Sequence, residues 1–373
     1  MSKSSADPAK PVIQVEAREY QQRLVKKTLD AFRAGHSSVL IESPTGAGKT
    51  VIAHLIVQAL LQTGEISSYG WTCMRRSLIG QASAANDHLF GLQNGRYFCL
   101  FSPPSEMKQV DLLIEDECQH AASCTSVNLV QELQPKFHIG LTATPFRSDA
   151  MKLSFSKCFR DAGLRDLVDA GYLSPYRLFR WHLEWSPAKL AELYLGERKR
   201  WGKSVMYLHR VEQCRAVEAL LKAGGVLCET VTGQDGKSQE AVLEAFCAGK
   251  IDVLCNVQVL TEGFDCPDLQ TVFLHKAGKG PTIQMAGRVF RKHPSLPCKQ
   301  IVQQTTGSPI EQVVSPEDLL DWKDGAWVSC HVNERRLEEI RQKVVHILSQ
   351  LPNPSLPPYL KQRRTRFFGE RRA

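Results

Sequence analysis

Short apolar runs alternate with longer amphipathic segments along most of the chain. The runs at 38–43 (SVLIES) and 109–116 predict buried strands, whereas the apolar spacing in 18–35 and 49–64 predicts helices that end on glycine. Further strands are predicted at 137–144, 203–209, 226–233, 251–256, 271–275 and 299–304, with helices before residue 223 and at 238–248 and 281–292. Strands that alternate with helices predict an α/β fold with mostly parallel sheets.

The pattern divides into two blocks at Gly171 and Pro175, which break the periodicity. We expect a disordered N-terminus (1–14), a first α/β domain (15–168), a second α/β domain (169–306) and a C-terminal extension (307–373). In this extension 315–327 is predicted to be loop-like and 333–351 to form an amphipathic helix, and the chain ends in a basic tail, KQRRTRFFGERRA.

Composition narrows the class of protein. The chain has 373 residues, of which 43% are hydrophobic and 23% charged, as in soluble globular proteins. Its net charge of +8 suits a polyanionic partner. No run of about 18 apolar residues could span a membrane, and the twelve cysteines are scattered without a CxxC pair. We therefore expect a cytoplasmic protein with reduced thiols, no membrane partner and no structural zinc.

The octapeptide SPTGAGKT (43–50) lies where a predicted strand meets a predicted helix, which is the context of a phosphate-binding loop. Gly46 and Gly48 let the backbone N–H groups turn toward phosphate oxygens, Lys49 neutralises the β- and γ-phosphates, and Thr50 offers a hydroxyl to Mg²⁺. The strict pattern has glycine where this chain has Ser43. The predicted ATP-binding residues of the loop are Ser43, Pro44, Thr45, Gly46, Ala47, Gly48, Lys49 and Thr50.

The stretch LLIEDECQHAASC (112–124) allows two interpretations. Asp116 and Glu117 can be the acid pair of a nucleotide hydrolase, one holding Mg²⁺ and the other activating water. Alternatively Cys118, His120 and Cys124 can be metal ligands. Zinc sites generally use ligand pairs at short spacing, and these three do not have it, so the acid pair is favoured.

The order of the motifs resembles superfamily II helicases and translocases of the DEAD/DEAH-box type. SPTGAGKT resembles motif I, DECQHA resembles the DEAHHA form of motif II, and GLTATPFR (140–147), with Thr142 and Thr144, resembles motif III. LTEGFDCP (260–267) resembles motif V, and QMAGRVFR (284–291) matches motif VI, Gln-x-x-Gly-Arg-x-x-Arg. The resemblance covers about residues 17–305 and implies two tandem RecA-like domains that bind ATP and Mg²⁺ between them.

The resemblance also implies roles for matching residues. Gln21, in REYQ (18–21), would read adenine, and Gln119, where the family usually has His or Asp, would couple hydrolysis to the second domain. Gly263, Asp265 and Gln284 would face the nucleotide, while Arg288 and Arg291 would reach the γ-phosphate from one helix face. The implied nucleic-acid contacts are Arg75 and Arg76 in WTCMRRSLIGQ (71–81), Gly233 and Thr261.

These features predict a nucleic-acid-dependent ATPase. TATPFR and AGYLSPYR resemble DNA-repair and phage-type members, which favours a DNA helicase or translocase. An RNA helicase is the first alternative, and a nucleic-acid clamp with weak hydrolysis is the second, because Gln119 and Glu115 depart from the family pattern.

Overall fold

The computed structural model describes residues 16–104, 109–120, 124–144, 154–182, 185–233, 236–257, 259–261, 264–304 and 308–330. These residues form two α/β units that follow one another along the chain. The expectation of two units built on mostly parallel sheets is confirmed.

The first unit is a sheet of six parallel strands, counted over the described residues, in the order β3-β2-β4-β5-β1-β6. Its strands are β1 (Ser38–Glu42), β2 (Tyr69–Cys73), β3 (Gly95–Cys99), β4 (Leu112–Asp116), β5 (Phe137–Thr142) and β6 (Lys157–Arg160). Its helices are α1 (Glu19–Arg33), α2 (Lys49–Gln62), α3 (Arg76–Leu89), α4 (Cys124–Leu133) and α5 (Leu164–Asp169), with a 3₁₀ turn at Cys118–His120. Because the strands are parallel, the loops that follow them all lie at one edge of the sheet.

The second unit has eight strands within the described ranges, in the order β14-β13-β7-β12-β11-β8-β10-β9. They are β7 (Tyr176–Arg180), β8 (Ser204–Tyr207), β9 (Cys228–Val231), β10 (Val253–Asn256), β11 (Thr271–Leu274), β12 (Lys299–Gln303), β13 (Leu319–Lys323) and β14 (Ala326–Ser329). Its helices are α6 (Pro187–Gly196), α7 (Arg198–Trp201), α8 (Val211–Ala223), α9 (Gly236–Cys247) and α10 (Lys279–Gly287), with 3₁₀ turns at Val259–Thr261 and Pro316–Asp318.

One apolar core runs through both units. Val39 and Ile41 of β1 belong to the same buried cluster as Leu274 of β11 and Met285 of α10. The two sheets are therefore packed together rather than merely connected. In the part of the chain that the structure describes, no helix combines the length and apolarity needed to cross a membrane.

The loop-like assignment of 315–327 is wrong. Residues 319–329 form the β13–β14 hairpin, which pairs with β7 and extends the second sheet. Asp324 and Gly325, both at positive φ (49° and 82°), make the tight turn, and Trp322 faces Trp327 across it. An Asp-Gly pair suits the type I′ turn that joins two antiparallel strands. The amphipathic helix expected at 333–351 and the basic tail lie outside the described residues.

The helix expected at 281–292 ends early. α10 stops at Gly287, and Arg288 is its C-cap. Val289 and Phe290 follow, and both are almost fully buried although they are neighbours in sequence. Beyond the helix the Phe290 carbonyl accepts a hydrogen bond from the Ser174 N–H at 2.8 Å. The inference that Gln284, Arg288 and Arg291 share one helix face is therefore wrong, because Arg291 lies beyond the helix.

Candidate nucleotide site and nucleic-acid interface

The phosphate loop joins β1 to α2, as its sequence predicts. Gly46 and Gly48 have φ of 82° and 80°, a conformation that side chains other than glycine rarely adopt. A Cβ on Gly48 would also lie 2.7 Å from Nε2 of Gln21, so only glycine fits there. Nζ of the buried Lys49 lies 3.4 Å from the carbonyl oxygen of Ser43, where the loop curls around it. This cradle has the shape and the charge to hold a triphosphate.

Residues of α1 brace the loop from outside. The hydroxyl of Tyr20 and Nε2 of Gln21 (3.2 Å) both donate to the carbonyl oxygen of Ala47, and Oε1 of Gln21 accepts from the Arg18 N–H at 3.0 Å. The guanidinium of Arg18 lies 4.8 Å from the ring centre of Tyr172, beyond the end of α5. Gln21 thus touches the phosphate loop, and its predicted reading of adenine stays a prediction.

The acid pair stands at the carboxyl end of β4, separated from the phosphate loop's strand by β5. Glu117 has φ of 53°, unusual for a residue other than glycine, and its N–H donates to Oδ1 of Asp116 at 3.0 Å. The chain therefore bends tightly between the two acids at the strand end. Asp116 and the Thr50 hydroxyl are hard oxygen donors of the kind that Mg²⁺ binds, so the donor set fits the metal.

Gln119 links the acid pair to motif III. Its Nε2 donates to Oε2 of Glu117 at 3.0 Å, and its Oε1 accepts from the Thr142 hydroxyl at 2.6 Å. Thr142 in turn accepts from the Thr144 N–H at 2.9 Å. An amide can donate and accept at once, so glutamine completes this relay from the acid pair to β5.

Glu115 and Cys118, which flank the acid pair, contact other residues of the first unit. Glu115, which the sequence left unexplained, is buried and bound by the Ser126 hydroxyl (2.5 Å) and Nε2 of His138 (3.2 Å). Cys118 is fully buried against Leu40, and burial raises the pKa of its thiol well above the usual range. Its burial against Leu40 is typical of a packing cysteine.

No group of three or more His, Cys, Asp or Glu arranged for a metal occurs within the described residues. The side chains of His120 and Cys124, the two other residues of the metal-site interpretation, lie outside the description.

Motif VI of the second unit packs directly on the phosphate loop. A Cβ added to Gly287 would lie 2.5 Å from Cβ of Thr45. A Cβ added to Gly46 would lie 3.9 Å from Cγ of Arg291, whose pKa is lowered to about 10 by burial. The guanidinium of Arg291 also pairs with the Asp265 carboxylate. Phosphate loop, motif V and motif VI therefore meet in one cleft.

The remaining motif V and VI residues lie around this cleft. Arg288 donates from its NH1 group to the Phe264 carbonyl at 2.9 Å and is largely buried, as is Gln284. Gly263 lies outside the described residues.

The predicted nucleic-acid contacts divide between the units. Arg76 is exposed at the start of α3, and Gly233 is exposed after β9. Arg75 donates from its NH1 group to the Val259 carbonyl of the second unit at 2.6 Å. Val259 opens the 3₁₀ turn that ends at Thr261, whose side chain lies outside the description. Sequence reasoning missed this bridge between the units, because a backbone carbonyl leaves no signature in sequence.

Two family models match separate parts of the chain. The type III restriction enzyme res subunit matches residues 14–96, and the helicase conserved C-terminal domain matches residues 185–293. The first match contains the phosphate loop, and the second contains motifs V and VI.

Individual relatives are distant. The putative ATP-dependent helicase IRC3 of Saccharomyces cerevisiae is 22% identical over 364 residues, covering 80% of this chain and 53% of that protein. A 51.5 kDa protein of a Lactococcus phage is 22% identical over 326 residues, covering 77% of this chain and 70% of that protein. The chain thus spans about half the length of the yeast relative.

Solved structures share the fold. The ATP-dependent type ISP restriction-modification enzyme LlaBIII, bound to DNA, superposes with a TM-score of 0.58 at 14% identity, covering 84% of this chain and 29% of that one. Dbp5 of S. cerevisiae, bound to RNA and ADP BeF3, superposes with a TM-score of 0.56 at 15% identity, covering 88% of this chain and 97% of that one.

The phosphate loop lies on one parallel sheet, and the arginine-bearing motif VI faces it from a second sheet. This arrangement defines a P-loop protein with two tandem RecA-like domains. The family matches narrow this class further. Together with the order of the motifs, they support a superfamily II helicase or translocase.

Proposed function

We propose that the chain is an ATP-dependent DNA helicase or translocase, which couples ATP hydrolysis in the inter-domain cleft to movement on DNA or remodelling of it. The observation that carries the proposal is that motif VI and the phosphate loop meet in this cleft. Gly287 of motif VI lies against Thr45 of the phosphate loop, and Arg291 lies beside Gly46. An ATP held by one unit is therefore within reach of the other, so that binding and hydrolysis can close and open the cleft.

The first unit would hold ATP. Lys49 already lies over the phosphate loop, where phosphate oxygens can replace the Ser43 carbonyl as its partner. The hydroxyl of Thr50 and the carboxylate of Asp116 would hold Mg²⁺. When bound, this ion would neutralise phosphate charge and orient the γ-phosphate for in-line attack.

Glu117 would act as the general base. Its carboxylate accepts a hydrogen bond from Gln119, which fixes its orientation for taking a proton from the attacking water. Because the same amide is bound to Thr142, a movement of β5 would displace the base. Arg288 and Arg291 would stabilise the charge that spreads over the γ-phosphate oxygens in the transition state.

DNA is the polymer we favour. The chain carries a net charge of +8, and its TATPFR and AGYLSPYR stretches resemble DNA-repair and phage-type members. LlaBIII is described as bound to DNA and Dbp5 as bound to RNA. Arg76, Gly233 and Thr261 would contact the polymer's backbone, since each follows a strand or starts a helix at the loop-bearing edge of a sheet.

The test is steady-state ATP hydrolysis by the purified full chain, alone and with single-stranded DNA, forked DNA or RNA. The variants are Glu117→Gln and, as a matched control, Glu132→Gln on the exposed face of α4. We expect stimulation by DNA and a loss of about 10²–10⁴-fold in turnover for Glu117→Gln alone. Stimulation by RNA only would make the chain an RNA helicase. Nucleotide binding without turnover on any polymer would refute the motor and leave the clamp.

A further inference from the structure

A tight turn after β3 displays one aromatic side chain to solvent. The Ser102 N–H donates to the Cys99 carbonyl at 2.9 Å and closes the turn. Leu100 points into the core with 1% of its surface exposed, whereas Phe101 is 56% exposed. Among the large apolar side chains that are exposed in the described part of the chain, Phe101 is the only aromatic one.

The turn lies beside the segment that precedes α3. The Leu100 N–H donates to the Cys73 carbonyl at 2.8 Å, and the Cys99 thiol lies 3.3 Å from the Met74 carbonyl. Strands β2 and β3 are parallel neighbours, with Cys73 opposite Cys99. Phe101 therefore stands at the loop-bearing edge of the first sheet, next to the backbone that presents Arg75 and the exposed Arg76.

The same edge reaches the second unit. The 2.6 Å hydrogen bond from Arg75 to the Val259 carbonyl brings the Val259–Thr261 turn to this place. One surface thus contains the exposed ring of Phe101, the exposed guanidinium of Arg76 and the Val259–Thr261 turn of the second unit. This surface is separate from the cleft that contains Lys49, because β3 is the far edge strand of the sheet and β1 is four strands away.

The exposed aromatic ring of Phe101 offers a flat apolar face to solvent. Phe101 supplies the flat apolar face, and Arg76 supplies a positive charge beside it. This combination matches one kind of ligand. Single-stranded nucleic acid offers bases that stack on aromatic rings and phosphates that pair with arginine. Paired bases inside a duplex cannot present their faces in this way.

We propose that Phe101 is a stacking platform for an unpaired nucleobase, with Arg76 contacting the neighbouring phosphate. This inference rests on the proposed function, and it specifies that the first unit binds a single-stranded segment. The contact selects for strandedness rather than for sequence, since every base has a face that can stack.

The experiment compares two probes of equal length with the full chain by fluorescence anisotropy. One probe is an oligothymidylate, and the other is an abasic deoxyribose-phosphate strand with the same number of phosphates. The variants are Phe101→Ala, Phe101→Trp as the conservative replacement, and Leu227→Ala as a control. Leu227 is 59% exposed in the second unit, so its removal takes away a similarly exposed apolar side chain far from the proposed platform.

We expect Phe101→Ala to weaken binding of oligothymidylate by about tenfold, the scale of one lost base stack. Binding of the abasic strand should be unchanged, Phe101→Trp should restore affinity for oligothymidylate, and Leu227→Ala should have no effect. Equal affinity of wild type and Phe101→Ala for oligothymidylate would overturn the inference and leave the proposed function standing. An equal loss on both probes would also overturn it, because the contact would then not involve a base. Failure of the wild type to bind either strand would overturn both the inference and the proposed DNA function.

Discussion

Replacing Gly287 by alanine tests whether motif VI must touch the phosphate loop for ATP to be hydrolysed. The added Cβ would lie 2.5 Å from Cβ of Thr45, 2.7 Å from its hydroxyl oxygen and 2.9 Å from its methyl group. Carbon atoms pack at about 3.5–4.0 Å, so the two units must separate by roughly 1 Å. Thr45 cannot easily move aside, because it is β-branched and follows Pro44 in a tight loop.

The expected effect is a loss of turnover without a loss of nucleotide binding. A 1 Å misplacement of groups that position a reaction lowers the rate by about 10²-fold. Lys49 and the phosphate loop belong to the first unit alone, so affinity for a fluorescent ATP analogue should change little. Alanine also has a higher helix propensity than glycine, by up to about 1 kcal/mol. This gain offsets part of the cost of separating the two units, so the inactive variant should still be folded at the assay temperature.

Gly280→Ala is the matched control, since it lies in the same helix and an added Cβ there meets no atom within 4 Å. Both variants are assayed for DNA-stimulated ATP hydrolysis, analogue binding and thermal unfolding. Turnover by Gly287→Ala equal to that of Gly280→Ala would refute the reasoning, because cleft closure would then not require this contact.

Three further predictions follow from buried polar contacts. Gln119→Ala breaks the link between the proposed catalytic base, Glu117, and β5, so turnover should fall about tenfold with KM for ATP unchanged. A rise in KM alone would contradict this. Lys299 is fully buried, and burial lowers its pKa to about 8. Between about pH 8 and 10.5 the unfolded chain therefore binds more protons than the folded chain, so the unfolding free energy should rise with pH by about 1–3 kcal/mol. Denaturant titrations of Lys299→Met over this pH range should lack the rise. Asp321→Asn removes a carboxylate 2.5 Å from the buried Arg180 and should lower the unfolding free energy by about 2 kcal/mol, whereas Asp324→Asn at the exposed hairpin tip should not.

The parts that the sequence predicts well are those set by neighbours in the chain. The phosphate loop follows from its glycines and from the strand and helix on either side, and its two positive φ values occur at the expected positions, Gly46 and Gly48. The end of β4 follows from an apolar run that stops at acids, Asp116 and Glu117. These features need no knowledge of what packs against them.

The parts that the sequence missed depend on contacts between distant residues. α10 ends at Gly287, and beyond it the Phe290 carbonyl accepts from the distant Ser174 N–H, a contact that periodicity alone does not reveal. Glu115 is explained by Ser126 of α4 and by His138 of the neighbouring strand. The β13–β14 hairpin did carry a local signal, the Asp-Gly pair at 324–325, but its strands are short and their burial depends on pairing with β7.

Arg75 shows how the proposed nucleic-acid surface can be tied to the proposed ATP cleft. Its hydrogen bond joins the start of α3 to the carbonyl of Val259, and the Val259–Thr261 turn is held in turn by the Tyr207 hydroxyl, which donates to the Leu260 carbonyl at 2.9 Å. Only a few residues further along the chain, the Phe264 carbonyl accepts from Arg288. A nucleic-acid strand that displaced Arg75 would therefore act on the segment that begins at Val259. The other end of this segment, Phe264, is hydrogen-bonded to Arg288 of the cleft. Coupling through so short a segment would need no long-range rearrangement, because the proposed polymer contact and the proposed nucleotide contact would share one stretch of backbone.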